Sequence, residues 1–268
     1  MLEKSLNKFA LKSRIRHIAT KYGSAHRTAY PRWNMLLWLP LGVTIAYAFS
    51  TLLLILFFNL LSFFGVYAED FIRPAVFQTL IACITYALTI ALVIGVPYLY
   101  DKRKPSWKLI GLHRLPTWTD IGLAPASFIV YVLVLTVVLS LVSSIFPAIN
   151  LEQTQDLGFK AFGSRLDNIL AFITLVVVAP VAEEVLFRGY LYGKLKAFVP
   201  AIWAAIATSI LFAVAHLQIN VGIDVFILSM ILCGLRSLTG SIWSGILLHM
   251  IKNGIAYYML FISPLLGG

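Results

Sequence analysis

Seven runs of predominantly apolar residues, at 35–61, 75–99, 121–146, 168–190, 200–217, 223–235 and 241–262, alternate along the chain with shorter polar segments. The hydrocarbon core of a bilayer takes roughly 20 apolar residues per helix, so the pattern predicts an all-α, polytopic transmembrane bundle of about seven spans. The sixth run is short and is expected to be tilted, re-entrant or extended through Gly222. The first three runs are apolar all round, with Trp33, Trp38, Tyr98, Tyr100, Trp107 and Trp118 near their ends, where amphipathic aromatics suit the membrane interface. Thr119-Asp120 and Asp167-Asn168 stand at the starts of the third and fourth runs and read as helix caps.

Composition agrees with the pattern: 60% of the 268 residues are hydrophobic and 12% are charged, which excludes an ordinary soluble domain. A net charge of +10 in a soluble protein would point to nucleic acid, but here its distribution assigns it to orientation and no nucleic-acid partner is expected. Eight Lys or Arg residues precede the first run, five lie between Lys102 and Arg114, Lys194 and Lys196 follow the fourth run, and Arg236 follows the sixth. The alternate loops carry Glu69, Asp70 and Arg73, then Glu152, Asp156, Lys160, Arg165 and Asp167, then a turn from Gln218 to Asp224. The positive-inside rule is met at every loop by a cytoplasmic N-terminus and a C-terminus on the opposite side. Residues 1–33, with Lys4, Lys8, Lys12 and Arg16 four apart, read as a basic cytoplasmic tail or an interfacial helix. No cleavable signal peptide is expected, the first run itself serving for targeting. Cys83 and Cys233 lie in apolar runs and behave as small hydrophobes.

Against this background the stretch Ala182-Glu183-Glu184-Val185-Leu186-Phe187-Arg188 stands out, because ionisable residues within a span are costly and by default functional. Glu184 and Arg188 are i,i+4 neighbours and form a charge-assisted pair. Glu183 points about 100° away and is the less neutralised carboxylate, the candidate general base. Pro180 lacks a donor and can kink the helix beside it. His216 lies four residues after Phe212 in the fifth run, and Asn253 four after His249 in the seventh, so each pair shares a helix face. A carboxylate with a histidine can deprotonate water, and a histidine with an asparagine can donate to a developing oxyanion. Taken singly, a histidine in a span is more often a hydrogen-bonded core residue and an asparagine a link between helices; their occurrence beside the paired glutamates favours chemistry. Lys252 and Arg236 read as snorkelling or orienting charges.

Glu183-Glu184-x-x-x-Arg188, Phe212-x-x-x-His216 and His249-x-x-x-Asn253, in that order on successive runs, resemble the CPBP family of intramembrane proteases. That family includes the type II CAAX prenyl proteases, the abortive-infection group and bacteriocin-processing or self-immunity proteins. The Phe187-Arg188-Gly189 continuation and Thr239-Gly240-Ser241-Ile242-Trp243 belong to the same likeness, which covers residues 168–262 and leaves 34–150 as additional N-terminal transmembrane helices. The resemblance implies that Glu183 activates water with help from His216, that His249 and Asn253 hold the oxyanion, and that Glu184, Arg188 and Phe212 support them. It implies a membrane-anchored peptide or protein as substrate, prenylated chains being one option, and no obligatory cofactor. Zinc is the alternative, with Glu183, His216 and His249 as ligands, although the HExxH signature is absent. The rival reading is a non-proteolytic membrane adaptor or immunity protein on the same fold. A serine-type GxSx site is absent, and Tyr100-Asp101 with Gly222-Ile223-Asp224 does not make an aspartyl pair.

On an ideal helical ladder rising from the turn near residue 196, Glu183 would stand about 20 Å up and His216 about 30 Å up. The two therefore need a kink, a tilt or a later start of the fifth helix to meet.

Overall fold

A computed structural model describes residues 32–67, 70–101, 106–151, 153 and 164–263, without the side chains of Tyr100 and Asp101. The expectations for the basic stretch from Lys4 to Arg16, and for Glu69, Tyr100, Lys102, Glu152, Asp156 and Lys160, lie outside the described residues or side chains. Every regular element among the described residues is a helix, the form in which a lone segment satisfies all its backbone groups in lipid. They are α1 (Met35–Phe63), α2 (Pro74–Leu99), a short α3 (Trp107–Ile110), α4 (Trp118–Ile145), α5 (Arg165–Leu195), α6 (Ala201–Val214), α7 (Ile219–Thr239) and α8 (Trp243–Ile262). All but α3 and α6 are long and apolar enough to cross a membrane, which makes the chain a polytopic helical bundle with six such helices among the described residues.

The fifth and sixth apolar runs exchange the lengths their hydropathy suggests. Run 200–217 yields only the 14 residues of α6, about 20 Å long, whereas run 223–235 lies within the 21-residue α7. The reason is that polar residues before the sixth run have partners and so join the helix. Asn220 Nδ2 donates to the carbonyls of Gln153 at 2.7 Å and Leu151 at 3.4 Å, and Asp224 accepts from the Tyr131 hydroxyl and pairs with Lys252 Nζ at 3.1 Å. Lys252 is thus an internal ion-pair partner rather than a free orienting charge. The expected caps also shift: Thr117 and Ser164 are the N-cap residues of α4 and α5. Their hydroxyls accept from the N–H of Asp120 at 3.4 Å and Asp167 at 3.3 Å, and the Asp120 carboxylate returns a bond to Thr117 N–H at 2.8 Å.

Helix α5 is the axis of the bundle, packing on α1, α2, α3, α6, α7 and α8. Two wide π-helical stretches, Ile173–Val178 and Glu184–Tyr192, flank Pro180, where the missing N–H already interrupts the α-helical ladder. Its C-terminal part is buried from Leu186 to Leu195 except at the partly buried Tyr190 and Lys194. A Cβ at Gly189 or Gly193 would lie 2.9 Å from the carbonyl oxygen of Ile110 or Leu109, so α3 rests directly on the α5 backbone. Arg236, buried rather than snorkelling, donates from Nη2 to the carbonyls of Leu109 at 2.7 Å and Lys108 at 3.3 Å, satisfying C-terminal oxygens of α3.

Loop contacts sort into two ends. Arg32 N–H donates to Phe198 at 3.0 Å and Ile242 N–H to Gly111 at 3.2 Å, gathering the starts and turns that carry Lys108, Lys194, Lys196 and Arg236. Residues 151 and 153 meet Asn220 at the other. Because α6 starts only at Ala201 and stops at Val214, the height mismatch closes: Glu183 stands about 18 Å above Leu195 and Val214 about 20 Å above Ala201.

Candidate active site

The two adjacent glutamates of α5 face different helices. Glu184 is fully buried toward α8, where Gly245 makes room for it: a Cβ there would lie 2.9 Å from Glu184 Oε2. Glu184 Oε1 accepts from Arg188 Nη1 at 2.9 Å and from His249 Nδ1 at 3.1 Å. All three side chains are buried, so the charges are matched within the bundle. The Arg188 guanidinium also lies over the Phe212 ring, 4.4 Å from its centroid.

Glu183 faces α2 and the interior cavity. Its Oε1 accepts from the Tyr86 hydroxyl at 2.6 Å, and its Oε2 lies 3.6 Å from His249 Nε2. His249 therefore stands between the two carboxylates, one ring nitrogen toward each. Phe212 is the common wall, edge to face with Phe187 and His216 at 4.9 Å and with His249 at 5.9 Å. His216 Nδ1 lies 2.7 Å from the Phe212 carbonyl oxygen. A carbonyl only accepts, so Nδ1 carries the proton, and Nε2 of the neutral ring is left with the lone pair.

A cavity of about 350 Å³ lies between α1, α2, α5 and the end of α6, lined by Glu183 and His216 and by Tyr47, Tyr86, Thr89 and Phe212 among others. A second recess of about 420 Å³ between α1 and α2 shares Val43 with it and is lined mainly by apolar side chains. Six of the seven residues expected at the site, Glu183, Glu184, Arg188, Phe212, His216 and His249, thus form one connected cluster. Asn253 lies one turn along α8 from His249, and its Nδ2 donates to the Leu175 carbonyl, in a wide turn of α5, at 2.9 Å. No group of three or more His, Cys, Asp or Glu is placed to hold a metal ion among the described residues.

Sequence reasoning missed Tyr86 and Tyr47. Both stand within apolar runs, away from the ends where interface aromatics belong, and a phenol at such depth needs a hydrogen-bond partner. That need was the available signal.

Fold and site together define a multi-pass helical membrane protein in which one carboxylate and one imidazole, Glu183 and His216, line a cavity, with a second carboxylate and imidazole, Glu184 and His249, buried behind them. Residues 165–255 match the family model described as Type II CAAX prenyl endopeptidase Rce1-like, consistent with the CPBP family. The matched segment runs from the start of α5 into α8 and supports an intramembrane protease at the general level; α1 to α4 lie outside it. Comparison with curated proteins and comparison with solved structures each found no match.

Proposed function

We propose that the chain is an intramembrane endopeptidase that hydrolyses a peptide bond in a membrane-anchored or lipidated peptide or protein. The observation that carries this reading is that Glu183 and His216, from different parts of the chain, line one small cavity within an apolar bundle. A water held in that cavity would meet the Glu183 carboxylate on one side and the His216 ring on another. Glu183 takes a proton as the water oxygen attacks the scissile carbonyl carbon, and returns it to the leaving amine when the tetrahedral intermediate collapses. His249, turned toward Glu183 by its bond to Glu184, donates to the oxyanion from Nε2 in the doubly protonated ring, the form in which both nitrogens are donors. Asn253 shares that task through its amide, which has two N–H donors, one of them engaged by Leu175. Glu184 and Arg188 hold His249 and Phe212 in place. The apolar recess beyond Val43 suits a hydrocarbon chain, which favours lipidated substrates.

The basic loops gathered at one end of the bundle support a cytoplasmic N-terminus and a C-terminus on the other side. Glu184 engages one ring nitrogen of His249 and the Phe212 carbonyl one of His216, an arrangement that metal-ligating histidines share, so the chelator arm of the test decides between a glutamate and a zinc mechanism.

The test is cleavage of prenylated and unprenylated membrane-anchored peptides by the purified protein and by Glu183→Gln, each with and without a chelator. Cleavage lost in the variant and indifferent to the chelator supports the reading. Chelator-sensitive cleavage moves Glu183, His216 and His249 to metal ligation. Cleavage retained by Glu183→Gln refutes the assignment of the base, and cleavage of no peptide by either protein favours the adaptor reading.

A further inference from the structure

We propose that Tyr86, on α2 and outside the matched segment, is a positioning residue for Glu183, an inference that rests on reading Glu183 as the base. Its hydroxyl has one acceptor, Glu183 Oε1, at 2.6 Å, the short distance of a bond from O–H to a charged oxygen. The bond joins helices 97 positions apart in the chain, and the ring is packed against the buried cluster that contains Val43, Leu186, Phe187 and Phe212. A glutamate has three rotatable side-chain bonds, and Glu183 is partly exposed to the cavity, so the peptide backbone alone does not fix its head. Tyr86 holds one oxygen; the other is thereby directed to the His249 side, 3.6 Å from Nε2.

The division of labour explains why the two carboxylates differ. Glu184 is fixed by a cation and an imidazole and is closed off. Glu183 is fixed at one oxygen by a neutral donor, which orients it without cancelling its charge, and it keeps a second oxygen for a proton. The N-terminal helices thereby supply a part of the site that α5 to α8 do not contain. Tyr47 of α1 lines the same cavity, so α1 and α2 close the side of the site on which Glu183 lies.

Tyr86→Phe removes the hydroxyl and leaves the ring in its packing. The expected result is a fall in kcat of about 10- to 100-fold, the scale on which small misplacements of a reacting group act, with KM within about threefold. The second readout needs no substrate: infrared difference spectra of the purified protein against Glu183→Gln isolate the Glu183 carboxylate band. That band is expected to move in Tyr86→Phe, and to move the opposite way when fluorotyrosine, a stronger donor of nearly the same shape, replaces Tyr86. An unmoved band in both, or a moved band with kcat unchanged, overturns the proposal. A protein whose Glu183→Gln variant cleaves normally refutes the base assignment instead, while the band still reports the hydrogen bond.

Discussion

Gly245→Ala adds a single methyl group beneath the buried carboxylate, and its consequence can be worked out from four distances. The new Cβ would lie 2.9 Å from Glu184 Oε2 and 3.4 Å from Leu232 Cδ2. Ordinary contact begins near 3.4 Å, so the carboxylate must withdraw by about 0.5 Å. It has little room, because Oε1 is held at 2.9 Å by Arg188 and 3.1 Å by His249. Losing one charge-assisted bond costs about 1.5–3 kcal/mol, while alanine in place of glycine within a helix returns about 1 kcal/mol. The net expectation is a loss of about 0.5–2 kcal/mol together with a displaced His249. Gly254→Ala is the control on the same helix: its Cβ meets Val176 Cγ1 at an ordinary 3.6 Å and gains the helix term of up to about 1 kcal/mol. The two variants should therefore differ by about 1.5–3 kcal/mol in reversible SDS unfolding in mixed micelles, followed by tryptophan fluorescence. Agreement of the two within about 0.5 kcal/mol would refute the close approach of α8 to Glu184.

Arg188→Leu should destabilise by about 3–5 kcal/mol in the same titration, because it leaves a buried carboxylate without its cation; Glu184→Leu combined with Arg188→Leu should recover most of the loss. Asp224→Leu strands Lys252 and takes the acceptor from the Tyr131 hydroxyl; both charged side chains are partly exposed, so the ion pair accounts for up to about 1 kcal/mol of the loss, and adding Lys252→Leu should restore only that share. Leu217 has φ +56° and is 91% exposed, so Leu217→Gly should stabilise by about 0.5–1 kcal/mol by relieving the left-handed backbone; a clear destabilisation would contradict this. Arg236→Met should release α3, read as faster amide exchange at residues 107–111 than in the wild type.

The long apolar helices were legible because lipid leaves the backbone few alternatives, and the paired glutamates because their cost in lipid marks them. What hydropathy could not give is which polar residues acquire partners. Asn220 and Asp224 lower the apolar score of their segment, yet contacts with residues 151 and 153, Tyr131 and Lys252 let α7 run through them. Arg236 reads from sequence as a loop-side charge and proves to be the donor for carbonyls more than 120 positions earlier. Tyr86 is the functional counterpart of these cases. Its depth in an apolar run signals that the phenol needs a partner, but which partner it takes exists only once α2 is set against α5.

The end of α6 shows how helix termination itself prepares chemistry. In a continuing α-helix the Phe212 carbonyl would accept from the N–H of His216. Here that N–H turns instead to Ala213, at 3.2 Å, and Leu217 takes a left-handed conformation as the chain reverses into α7. The Phe212 oxygen is thus one of the carbonyls a helix end leaves unpaired, in a place where water is scarce. The His216 ring fills it through Nδ1 at 2.7 Å. One bond therefore satisfies the terminus, fixes the ring plane against Phe212 and commits a proton to Nδ1. A longer α6 would cross more of the bilayer but would pair that carbonyl along the backbone and free the ring to rotate. The shortness of α6 and the single tautomer of His216 are consequences of the same turn.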